Sequence, residues 1–166
     1  DEAEIVRLIF SKFLELGSLT KIVTYLLTNG IKSKTQTDYS RFAVKAILEN
    51  PVYAPNDLSI YEYFQSLETE IFAEKSAFNG KNAMMVYNKT IQKTGKANKK
   101  RDSKEWVVAI GKHRPIIDSQ TWIAAQKLLN ENKSKTYRQP KSNAAILSGL
   151  LRCGECGAFC CPVAAV

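Results

Sequence analysis

Residues 1–30 read DEAEIVRLIFSKFLELGSLTKIVTYLLTNG, and their spacing decides what kind of fold follows. Ile5, Val6, Ile9, Phe10, Phe13 and Leu14 recur at helical intervals, which gives Asp1–Leu16 one broad apolar face. Asp1, Glu2 and Glu4 fall in the first turn, where carboxylates complement the positive end of the helix dipole. Gly17 is placed to stop this helix. Ser18 can then cap a second one, carrying Leu19, Ile22, Val23, Leu26 and Leu27 and ending at Asn29-Gly30.

Beyond these helices, Ile31–Thr37 is a polar connection rich in Lys, Ser and Thr. A third helix is expected over Ser40–Glu49, with Phe42, Ala43, Ile47 and Leu48 turned inward and Arg41 and Lys45 sharing the other side. Asn50-Pro51 ends it, because a residue before proline avoids the α region. Two short helices, a connection and a third helix with a basic face make a helix-turn-helix-like core. Its connection exceeds the usual length of about 3–4 residues. Further along, Leu58–Phe78 reads as an amphipathic helix with Ile60, Phe64, Leu67 and Ile71 on one face. Ala83–Tyr87 and Trp106–Ile110 read as strands separated by a loop over Lys89–Glu105. A last helix begins near Ser119, with Trp122, Ala125 and Leu129 at helical spacing. The expected class is therefore α+β, mainly helical with a few short strands.

A length of 166 residues accommodates one ordinary domain plus a small appendage. The polar stretch KSKTYRQPKSN at Lys133–Asn143 reads as the linker between them, dividing the chain into residues 1–132, 133–143 and 144–166. No apolar run approaches the ~20 residues that cross a bilayer, and no leader-like segment opens the chain. The expectation is a soluble, cytoplasmic protein. Charge is unevenly spread within the net +8. Asp57–Glu74 holds five acids and no bases, whereas Lys89–Lys104 holds seven bases and one acid. A concentrated positive stretch attracts polyanions by releasing their condensed counterions; the bland alternative is a solvated loop with no partner.

All four cysteines, Cys153, Cys156, Cys160 and Cys161, cluster near the end of the sequence. Cys153-Gly154-Glu155-Cys156-Gly157 has the spacing that lets two thiolates reach one ion, with the following glycine admitting backbone N–H groups towards sulfur. A structural zinc takes four ligands, and adjacent Cys160 and Cys161 would strain the backbone if both joined one tetrahedron. A redox pair is the rival, but no thioredoxin-like βαβ pattern precedes it.

In order along the chain, Glu2-Ala3, Val6-Arg7, Ile9-Phe10, Gly17-Ser18, Ile22, Leu26 and Asn29-Gly30-Ile31 come first. Val44, Ile47-Leu48, Asn50-Pro51 and Tyr53 follow, then His113-Arg114-Pro115-Ile116-Ile117 with Trp122 and Gln126. Ser148-Gly149-Leu150-Leu151-Arg152-Cys153-Gly154-Glu155-Cys156-Gly157 completes the series. This ordered set resembles the recombinase domain and the start of the zinc ribbon of large serine recombinases, which integrate, excise or invert mobile DNA. Three features depart from the family's pattern. Tyr53-Ala54-Pro55 stands where Tyr-x-Gly is frequent, Tyr39 stands where a tryptophan is common, and the zinc ribbon is cut short before a second C-x-x-C.

The resemblance implies a segment that holds one attachment-site half on double-stranded DNA, in an enzyme working as a dimer or tetramer. The serine nucleophile would lie in a domain outside this sequence, so no residue here is assigned a catalytic role. Ser33, Lys34, Thr35, Thr37, Ser40, Arg41 and Lys45 form the candidate DNA-facing set. Hydroxyls and lysines suit phosphates, whereas an arginine on an entering helix can pair with a guanine edge. Lys96, Lys99, Lys100 and Arg101 of the basic loop would contact backbone or minor groove. Zinc in the full-length protein would be held in part by Cys153 and Cys156. The lone His113 is read as a structural hydrogen-bonder, and Trp106 and Trp122 as core residues. Two other readings remain: a helix-turn-helix transcription regulator, and a protein-interaction module using the acidic Asp57–Glu74 face.

Overall fold

The computed structural model describes residues 2–92, 94–95, 97–134, 151–158 and 160. In chain order its elements are α1 (Glu2–Leu16), α2 (Leu19–Thr28), α3 (Arg41–Leu48), α4 (Leu58–Ser66), β1 (Glu70–Ile71), β2 (Met84–Tyr87), β3 (Thr90–Ile91), β4 (Lys99–Lys100), β5 (Val107–Ile110) and α5 (Ser119–Ser134). Short 3-10 turns occupy Pro51–Tyr53, Lys75–Ala77 and Ser103–Glu105. The class is mixed α+β, with five α-helices and two small sheets among the described residues. The chain forms two compact units, Asp1–Asn130 and Glu131–Val166.

In the first unit, α1 buries Val6, Ile9, Phe10 and Phe13, and α2 buries Ile22 and Leu26. The stop after α2 follows from backbone chemistry. Gly30 adopts φ +65, a left-handed conformation that costs glycine little. That turn lets the N–H of Ile31 donate to Leu26 O at 2.9 Å and the N–H of Gly30 donate to Leu27 O at 3.1 Å, so two helix-end carbonyls are satisfied. α1, α2 and α3 pack on one another, with Val44 and Leu48 of α3 entering the same core. Behind them β5 is the central strand of a three-stranded sheet, parallel to β1 and antiparallel to β2.

Three expectations change. The helix expected over Leu58–Phe78 ends at Ser66, because Glu68 takes a left-handed φ of 55 that breaks the helical ladder. Ile71 reaches the core as part of β1, paired with Val108, rather than along a helix face. Phe42 and Ala43, expected inside, are exposed. Val44 and Leu48 set the buried stripe of α3, and Phe42 stands two positions earlier, about 200° around the axis from Val44. The expected loop over Lys89–Glu105 contains an antiparallel hairpin, in which Thr90 pairs with Lys100 and Ile91 with Lys99.

Helix α5 closes the arrangement at the end of α3, where backbone carbonyls lose their helical partners. Buried Gln126 donates from Nε2 to Leu48 O at 2.7 Å, and Trp122 donates from Nε1 to Asn50 O at 3.2 Å. The Trp122 ring is 2% exposed and meets the rings of Tyr63 and Phe64 at 5.2 and 5.9 Å. His113 has a structural role: its Nε2 lies 2.8 Å from Val52 O, where a ring N–H donates. Buried Asn56 organises the approach to β2, donating to Ala77 O at 3.0 Å and accepting from the Asn82 N–H at 3.0 Å.

Replacing Gln126 with methionine, which is close in volume, strands the Leu48 carbonyl in an apolar setting. A loss of about 1–3 kcal/mol is expected, seen as a lower urea midpoint at unchanged slope; an unchanged midpoint would remove the Gln126 bond from the account. Burial also holds the Tyr63 phenol above its ordinary pKa. The folded state therefore favours the protonated phenol, so this contribution is complete below the ordinary value of about 10 and is lost as pH rises through the folded pKa. Tyr63→Phe is expected to flatten the alkaline fall in urea stability.

Candidate nucleic-acid interface

Helix α3 is short, and its start depends on Ser40. The Ser40 hydroxyl accepts the Ala43 N–H at 3.1 Å, a capping bond that satisfies one of the helix's free donors. Ser40 thus has a defined structural task whatever else it touches. With the inner stripe committed to Val44 and Leu48, the outer face carries Arg41, Phe42 and Ala46 in the open and Lys45 at its margin. Arg41 forms no ion pair among the described residues.

The connection before α3 is more ordered than its composition implies. The hydroxyls of Ser33, Thr35 and Thr37 bond to one another at 2.7 to 3.2 Å, and the Ser33 N–H donates to Thr37 O at 2.9 Å. Gln36 takes φ 60 inside this turn. The hydroxyls are therefore already engaged, though all but Ser33 belong to exposed residues. Lys34 lies 3.3 Å from Glu2 of α1, both largely solvated.

The hairpin β3–β4 is tied to the far end of α3 through Glu49. Its carboxylate receives Lys45 at 3.7 Å and also Lys100. Next to it Lys89 donates to Asn50 Oδ1 at 3.2 Å, and burial followed by repulsion from Lys100 holds the Lys89 ammonium below its ordinary pKa. Three ammonium groups thus gather at the negative end of the α3 dipole, where cations are favoured. Because side chains alternate across a strand, Lys99 is presented on the opposite face of β4 from Lys100. Arg101 pairs with Glu105 at 2.5 Å, and Lys104 with Glu68 at 2.5 Å. The well-solvated Lys104–Glu68 pair is worth about 0–1 kcal/mol, whereas Arg101 is only part-exposed and its Nε is buried. Lys96 lies outside the described residues.

A model of the recombinase family matches residues 1–132. The chain belongs to this family. A protein of Bacillus subtilis (strain 168) named "Putative DNA recombinase" is 30% identical over 164 residues, covering 95% of this chain and 28% of that protein. The recombinase chain thus spans about a quarter of the relative's length. No solved structure matches it significantly.

The second unit of this recombinase chain is described only in part. There the N–H of Cys153 donates to Ala158 O and that of Gly157 to Cys153 O, each at 2.9 Å, with Gly157 at φ +69. Amide N–H groups of Cys156 and Glu155, then the Cys156 thiol, hold the Cys153 thiol below its ordinary pKa. Amides aimed at one sulfur are what a knuckle around a metal thiolate requires. Cys153 and Cys156 fit two ligand positions, and no cluster of three or more His, Cys, Asp or Glu forms among the described residues. Cys161 and the expected linker beyond Ser134 lie outside the described residues.

Glu49, Asn50 and Lys89 meet at the end of α3, and none of them was among the individual candidate site residues read from the sequence. Their grouping depends on a hairpin returning to α3 across about 40 positions, and the only local hint was Glu49 four residues after Lys45.

Because Ser40 caps α3, Ser40→Ala is expected to cost about 1 kcal/mol of unfolding free energy, and Ser40→Asp close to nothing. Equal losses in urea titrations of both variants would mean that the cap does not govern this helix.

Proposed function

We propose that this chain is the DNA-holding segment of a large serine recombinase. Residues 1–132 form the recombinase domain, 133–143 a linker and 144–166 the start of a zinc ribbon. Its task is to grip one attachment-site half on double-stranded DNA, within a dimeric or tetrameric cytoplasmic enzyme that integrates or excises mobile DNA.

The observation carrying this reading is the outward face of α3. There Arg41, free of ion pairs among the described residues, stands at the start of α3, and Lys45, Lys89 and Lys100 gather at its other end. In this reading α2, the connection and α3 act as a helix-turn-helix, with the start of α3 facing base edges. Lys34 positions the duplex through phosphates, while the turn closed by the Ser33, Thr35 and Thr37 hydroxyls and the Ser40 cap present α3 to the groove. Lys96, Lys99, Lys100 and Arg101 extend the phosphate track along the hairpin. Cys153 and Cys156 supply two thiolates to a zinc ion whose other ligands complete a closed structural site.

The test is enrichment of duplexes from a random pool, followed by fluorescence anisotropy on the selected and scrambled sequences across a salt series. Preference for the selected duplex, falling steeply with salt, is expected. Lys99→Ala should weaken both duplexes alike and flatten the salt slope by ~1 unit, whereas Arg41→Ala should lose mainly the preference. Absence of enrichment together with salt-independent binding would overturn the assignment.

A further inference from the structure

Phe42 occupies the second position of α3 and is 86% exposed, outside the buried core. It is the most exposed large apolar side chain among the described residues. Its neighbours on the helix surface decide what could cover it. Arg41 adjoins it, Lys45 lies three residues on and the exposed methyl of Ala46 four residues on, within reach on the same side. The carboxylate that follows α3, Glu49, is occupied by Lys45 and Lys100. The patch is thus apolar at its centre and cationic at its rim, a combination that suits an anionic partner with an apolar group recessed between its charges. The major groove of DNA has one such group, the C5 methyl of thymine, flanked by phosphates and read by alanine and phenylalanine side chains.

We infer that Phe42, with Ala46 beside it, reads a thymine methyl in the half-site, which makes α3 selective for an A·T pair at the base step next to the one Arg41 contacts. The inference rests on the DNA-holding reading and goes further by assigning the base chemistry. It does not rest on folding: an exposed Phe42 can be truncated with no loss of core packing, so Phe42→Ala should melt like the parent.

The experiment uses the full chain and the duplex enriched from a random pool, with each thymine in turn replaced by deoxyuridine, which removes only the methyl. The parent is expected to lose about three- to fivefold in affinity at one thymine, the size associated with burying one methyl group. Phe42→Ala should lose a similar factor on the thymine duplex and bind thymine and uracil duplexes equally. Phe42→Leu should keep part of the discrimination. If the parent binds the enriched duplex but ignores every thymine-to-uracil change, or if Phe42→Ala remains sensitive, the inference falls while the DNA-holding reading stands. Dissociation of a dimer by Phe42→Ala, seen by sedimentation without DNA, would assign the patch to a second copy and also overturn it. A parent that enriches and binds no duplex removes both.

Discussion

The carbonyls at the end of α3 are the point on which the arrangement turns. A helix of eight residues leaves its last four carbonyls without partners inside the helix. In this chain the N–H groups of Glu49 and Asn50 donate to Lys45 O and Ile47 O, and tertiary donors reach Leu48 O and, just past the helix, Asn50 O. Gln126 reaches Leu48 O and Trp122 reaches Asn50 O, both from α5 and separated from their acceptors by more than seventy residues of sequence. Such buried bonds contribute modestly when made but are expensive to leave unmade. They therefore anchor the end of α3, which Asn50-Pro51 terminates, against α5.

The same helix end draws the charges together. Once α3 ends at Leu48, Glu49 and Asn50 project beside the hairpin, and Lys100 and Lys89 come to them. The negative end of the helix dipole makes this cheap for cations that would otherwise repel. The consequence is a run of basic side chains from Arg41 to β4, with the part-buried Glu49 carboxylate shared by Lys45 and Lys100.

Capping and core packing also separate residues that composition groups together. Ser33, Thr35, Thr37 and Ser40 look alike as candidate phosphate donors. Ser40 is spent on the Ala43 N–H, and the other three bond to one another in a turn. Arg41 and Phe42, by contrast, have no such internal occupation.

Much of the fold was legible in local pattern. The spacing of Val6, Ile9, Phe10 and Phe13 and the Gly17 and Gly30 stops are short-range chemistry, and α1, α2 and α3 formed where the sequence put them. Ser18, expected to cap α2, makes no side-chain capping bond, however, and Ser40, expected inside α3, caps it instead. The ordered motifs sufficed for the recombinase family because each occupies a fixed place along the chain. Tertiary structure decided what local pattern left degenerate. The apolar spacing of Ile60, Phe64, Leu67 and Ile71 fits a helix as well as a helix followed by a strand. Pairing of Ile71 with Val108 on a central strand selected the second. Phe42 and Val44 are equally apolar to a sequence reader, and only packing against α1 and α2 chose which one faced inward. The meeting of Glu49 with Lys100 depends on a return of the chain across about fifty residues. Its driving force, burial of the intervening sheet and α5, is a property of the whole core rather than of any stretch within it.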